Sequence, residues 1–158
     1  MGTQQLLMIV LSIIVVGAAV AVGIMMFDTQ SKNQTINAIY TDLSQIAVDV
    51  QAYWRTPKIM GGAGFDMPNI TVNSLVTWFN INEADPAIKT ANGSYLLNSI
   101  SLANPFIDIH LSSEPPNRGW IATARVFFDG RSNAARGIHN GIWTYIGPEN
   151  GAPTPPGT

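Results

Sequence analysis

From Leu6 to Phe27 the chain reads LLMIVLSIIVVGAAVAVGIMMF, with Ser12 as its single polar side chain and Asp28 as the first charge. At about 1.5 Å of rise per residue this run would make a helix of roughly 33 Å, enough to cross a hydrocarbon core of about 30 Å. Apolar on every side, it has no face for water and must be surrounded by lipid or by other protein. The pattern then changes. From Asp28 to Arg55 there is neither proline nor glycine, and Ile36, Ile39, Tyr40, Leu43, Ile46, Ala47, Val50, Tyr53 and Trp54 recur at steps of three and four. That spacing places them on one stripe of a helix. Asp42, Gln45, Asp49 and Gln51 fall between and face water or a neighbour. The two stretches predict one continuous helix of about 50 residues, roughly 75 to 80 Å long, ended by Thr56 and Pro57. Its half 1–27 is apolar all round and its half 28–55 amphipathic.

Residues 56–158 predict a single head. The stretch 56–71, which contains KIMGGAGFDMPNIT, is glycine-rich and reads as loop. Val72–Ile81 is compatible with a short helix, although its β-branched content also allows a strand. Asn82–Asn92 is polar and broken by Pro86. Strands are expected at Tyr95–Ser101, at Phe106–Leu111, at Gly119–Asp129 and at Gly141–Ile146. In the second of these Ile107, Ile109 and Leu111 share a face opposite Asp108 and His110. In the third, Trp120, Ala122, Ala124, Val126 and Phe128 share a face and Arg125 points the other way. The fold class is therefore α+β: a long N-terminal helix packed on an antiparallel sheet of three or four strands. The sheet's one apolar face is covered by Ile36, Ile39, Tyr40, Leu43, Ile46, Val50, Tyr53 and Trp54. The segment 147–158, with the sequence GPENGAPTPPGT, has no apolar anchor beyond Ala152. It is expected to be extended and exposed, or laid over a neighbouring molecule.

An N-terminal apolar helix that continues into an amphipathic half beneath a small β-rich head resembles the type IV pilins and their pseudopilin relatives. Laid on that family's opening pattern, QLLMIVLSII puts Met1 where the mature chain usually has a methylated phenylalanine, and Gln5 where it usually has glutamate. Gln5 offers a hydrogen bond where the glutamate would neutralise a neighbour's N-terminal amine. The family's basic leader is not visible, so the chain is read as processed, as cleaved after Gly2, or as beginning at Met1. The resemblance covers residues 1–55, and beyond them it is architectural. It implies a structural subunit, stored in the membrane and then polymerised by pilus assembly machinery into an extracellular helical filament of identical copies. Met1, Gln5, Leu6, Leu7, Ile9, Val10, Ile13, Ile14, Gly17 and Gly23 would line the filament core. A glycine in a helix interior costs about 1 kcal/mol against alanine. Gly17 and Gly23 would either loosen the helix or let neighbouring helices approach closely.

Competing expectations are a pseudopilin of a type II secretion system, a single-pass membrane-anchored binding protein, and a removed signal peptide. The last is disfavoured because the run is long and the first basic residue is Lys32. The net charge of −2, with 11% charged residues and scattered lysines and arginines, gives no footprint for nucleic acid. With no cysteine there is no disulfide, thiolate metal site or cysteine nucleophile. His110 and His139 lack a metal-ligand spacing, and Asp66, Asp85, Asp108 and Asp129 form no calcium loop. By analogy with pseudopilins, the Asp129–Asn140 loop would be the place for calcium. No cofactor and no catalytic cluster is expected. Sequons at Asn33, Asn69 and Asn92 are potential N-glycosylation sites.

Overall fold

With no helix breaker before Pro57, helix α1 runs unbroken over Gly2–Arg55 in a computed structural model of the chain, passing through Gly17 and Gly23 without interruption. The structure describes residues 2–82, 84–97, 106–112, 119–128, 138–150 and 152–156. The chain divides into two compact units, residues 1–35 and 36–158. The first is helix alone.

The second unit begins with the last turns of α1. The helix ends where Thr56 returns both its N–H (3.0 Å) and its hydroxyl (2.8 Å) to the Ala52 carbonyl, and Pro57 opens a 3₁₀ turn over Lys58–Met60. A second 3₁₀ turn, Met67–Asn69, leads into α2, Val72–Trp78. Thr71 caps α2 in a reciprocal box with Ser74. The alternative of a strand here is thereby settled. The helix stops short of the expected Ile81 because Asn80 takes a left-handed φ of 52°.

Five strands follow: β1 Ala87–Lys89, β2 Ser94–Leu97, β3 Phe106–Leu111, β4 Trp120–Phe127 and β5 Ile142–Pro148. They form an antiparallel meander in the order β1-β2-β3-β4-β5. Strand β1 lies in the stretch read as a polar break. It is a three-residue edge strand, and Pro86 stands just before it, where no ladder N–H is needed. The expected strand ends at residues 98–101 and at Asp129 lie outside the described residues.

One face of the sheet carries the main core. Ile107 and Ile109 of β3 and Ala122, Ala124 and Val126 of β4 meet Ile39, Leu43, Ile46, Ala47, Val50 and Tyr53 of α1, with Leu75 of α2 completing the cluster. Trp54 packs half-buried against it, its ring 5.2 Å from that of Phe128. Ile36 is only half-buried. Tyr40 departs from its assignment to the helix–sheet contact: at the margin of the stripe, it keeps 54% of its surface in water.

The opposite face is also covered, which the single-face expectation missed. Ala122 to Phe127 are all buried, so β4 is enclosed on both sides. A second small cluster of Phe127, Ile138 and Trp143, joined by Phe106 and Tyr145, occupies that face. The C-terminal tail adds to it, for Pro156 is buried and its carbonyl accepts a hydrogen bond from Arg125 Nη1 (3.1 Å). The tail, expected to be extended and exposed, is thus anchored at Pro156.

Leu43→Ala is expected to destabilise the protein by about 2–5 kcal/mol, the usual cost of a buried leucine cavity. Tyr40→Ala should change stability by less than about 0.5 kcal/mol. Denaturant unfolding of the detergent-dispersed chain, followed by tryptophan fluorescence, measures both.

Candidate assembly surface

The unit 1–35 has no interior. Its most apolar eighteen-residue stretch is entirely unburied, and α1 is long and apolar enough to cross a membrane. Its large apolar side chains range from 47% exposed at Val10 to 75% at Phe27. Two hydroxyls within the surface are satisfied internally: that of Ser12 donates to Ile9 O (2.8 Å) and that of Thr29 to Met25 O (2.9 Å). Such back-bonding lets a hydroxyl sit in an apolar medium without an unpaired donor. The first charge, Asp28, is paired with Lys32 one turn on, at 2.8 Å.

Expected assembly residues are spread around this cylinder. Leu6, Leu7, Val10 and Ile14, with Thr3 and Leu11, edge one shallow trough, and Gln5 and Ile9 edge another with Gln4 and Met8. Val22, Met25, Met26, Thr29 and Gln30 edge a third. Ile13 is 66% exposed. An added Cβ at Gly17 or Gly23 would meet nothing within 4 Å, so within one copy neither glycine is required by packing. Met1 lies outside the described residues.

Two polar clusters hold the second unit together. Asp42, on α1, accepts three hydrogen bonds at Oδ2: from Thr90 Oγ1 (2.6 Å), Asn92 Nδ2 (3.0 Å) and Tyr95 OH (3.2 Å). It thereby ties the helix to the β1–β2 hairpin. Burial alone would raise the Asp42 pKa, but these donors together hold it below the ordinary carboxylate value. Burial, followed by the adjacent Asp42 charge and the hydrogen bond to it, pushes the Tyr95 phenol far above its ordinary value.

On the opposite sheet face, Arg125 is paired in register with Asp108 on β3 and Trp143 on β5. Its guanidinium grips Asp108 through Nε (2.6 Å) and Nη2 (2.8 Å), lies 3.8 Å over the Phe106 ring, and reaches Pro156 O with Nη1. Only 6% of the Arg125 side chain is exposed, against 21% for Asp108. A desolvated guanidinium needs this many partners. Strand alternation had placed both residues on the non-core face, and their adjacency needed only the β3–β4 pairing. Nothing in the sequence signalled the tail's part in it.

The sequons differ in their surroundings. The Asn92 amide is committed to Asp42, and that of Asn69 donates to Ala63 O (3.1 Å). Asn33 stands exposed on α1. His110 sits opposite Thr123, and the backbone of His139 bridges to Ile142. Among the described residues, no group of three His, Cys, Asp or Glu is placed to hold a metal. Most of the loop considered for calcium, residues 129–137, lies outside them.

The depressed pKa of Asp42 contributes stability at pH values above its unfolded value of about 3.9, and this contribution is lost as pH falls through the lower folded value. The raised pKa of Tyr95 contributes below its unfolded value of about 10 and is lost as pH climbs beyond it. Thermal melts should therefore show an acid limb that Asp42→Asn flattens and an alkaline limb that Tyr95→Phe flattens. Arg125→Met, which leaves Asp108 and Pro156 O unpaired, is expected to cost about 3 kcal/mol, and Arg125→Lys to recover only part of it; chemical denaturation of the three chains compares them. Compared with family models, curated proteins and solved structures, the chain matches none.

Proposed function

We propose that this protein is a non-catalytic structural subunit of a helical filament. It is held in a membrane through residues 6–27 before assembly and packs the same segment against copies of itself afterwards, with the heads outward. The observation that carries this reading is the apolar surface of α1, exposed on every side, beside a head that buries a core of its own. A lone anchor needs only length. Here the helix continues without interruption from the exposed apolar stretch into the core of the head, so the assembling segment and the displayed domain are one element.

Energetics permit such a transfer. A cylinder apolar on all sides makes similar dispersion contacts with lipid tails and with other apolar helices, so moving it from one to the other meets no large opposing free energy. The internally bonded Ser12 and Thr29 hydroxyls make no demand on either medium. The resemblance to type IV pilins supports the same reading through the order of its parts, and assembly would then call on pilus-type machinery. Adhesion, twitching motility, DNA uptake and surface contact are activities of that family, and the resemblance does not choose among them.

A second reading, a single-pass membrane protein with a binding head, draws on the same helix length. Mechanical shearing separates the two. Fibres carrying the intact chain should appear in the sheared fraction by electron microscopy, and Ile13→Asp, which puts a charge in the apolar surface, should abolish them while the head still folds. If all of the wild-type chain remains with the membrane, the filament reading is wrong.

A further inference from the structure

The loop after α1 exposes large apolar side chains. Ile59 is 100% exposed, Met60 73% and Phe65 64%. Exposure alone would be unremarkable in a loose loop, but this one is tightly built. The N–H groups of Ala63, Gly64 and Phe65 donate to the carbonyls of Tyr53, Thr56 and Trp54 at 2.9–3.1 Å, filling acceptors left open at the end of α1. Gly61 N–H and Gly62 N–H close back on Lys58 and Pro57. Gly62 lies so close to Thr56 that no Cβ would fit. Phe65 takes a left-handed φ of 60°, a conformation that costs a bulky residue on the order of 1 kcal/mol and persists only where the surroundings impose it. Its ring leans edge-on against Trp54 at 5.7 Å. Lys58 and Asp66 pair at 3.0 Å across the base. Backbone order and local strain are thus spent on holding Ile59 and Met60 in water.

The size of this knob limits what it can bind. Three side chains bury roughly a few hundred Å², far short of the roughly 1,200–2,000 Å² of a stable independent interface. Such a patch contributes where its partner is already held close, because the second contact then forms at high effective concentration. Its tip presents no charge, so the partner surface must be apolar. Each copy carries such a surface, and the trough between Val22, Met25, Met26 and Thr29 has the i, i+3, i+4, i+7 form of a hole that accepts one protruding side chain. Thr29 and Gln30 at its edge match the polar Lys58–Asp66 rim of the knob.

We infer that the loop 57–66 is an assembly knob, and that Ile59 and Met60 of one copy seat in the Val22–Thr29 trough of another. This rests on the filament reading and deepens it. A knob on the head and a hole on the helix make a heterologous, head-to-tail contact, the kind that builds an open helical filament where its rotation does not close into a ring.

A chain without cysteine offers a clean test. Ile59→Cys and Met26→Cys change two exposed positions, 100% and 61% accessible, so the full chain should fold as before. In sheared fibres of the double variant, a short bis-maleimide should give a ladder of dimers, trimers and higher species. The thiol of the single variant Ile59→Cys should react with a water-soluble maleimide about tenfold more slowly in fibres than in detergent, the factor produced by about 1.4 kcal/mol of protection. Fibres in which that thiol labels at the detergent rate and no ladder forms overturn the knob and leave the filament standing. Protection of the same thiol in phosphatidylcholine vesicles lacking fibres assigns the knob to lipid and overturns the contact between copies. If the wild-type chain forms no fibres at all, the filament reading fails and the knob falls with it, whereas fibres that form in the wild type and are lost in either cysteine variant support the contact.

Discussion

Water cannot solvate the first half of α1. Its side chains between Leu6 and Phe27 are exposed on every side within a single copy, and at about 25 cal/mol per Å² of apolar surface that exposure is untenable for a free monomer. A chain that keeps this segment needs lipid or other protein to cover it. The head obeys the opposite rule. It completes its own core and satisfies Asp42 and Arg125 from within. One chain thus joins a self-sufficient domain to a segment that is insufficient alone.

Much of this was legible in the residues. Uniform apolarity needs no tertiary context to interpret, and the three-and-four spacing from Ile39 to Tyr53 names its buried face directly. Strands β3, β4 and β5 are visible because alternation and turn residues act locally. Other features depended on partners distant in sequence. Tyr40 carries the right spacing yet stays in water, since periodicity marks a stripe without marking where its cover ends. Strand β1 is too short to show a period and exists through its pairing with β2. The second covered face of β4 is written in aromatic side chains from three strands and in a proline carbonyl, a combination that no window of sequence contains.

Of the candidate assembly surface, the extent was legible and the relief was not. Hydropathy identifies residues 6–27, but the troughs between particular side chains arise from helical geometry. The Asp42 cluster was equally hidden: a polar residue between apolar ones signals a wet or partnered face, and only the fold brings Thr90, Asn92 and Tyr95 to it.

The buried guanidinium of Arg125 has a practical corollary for anyone who would decorate this protein. Since one of its protons is claimed by the Pro156 carbonyl, trimming the C-terminus unseats a cation in the interior, whereas Pro153 and Thr154 stand clear of it in solvent. Foreign peptide is therefore better spliced between those two residues than substituted for the end of the chain.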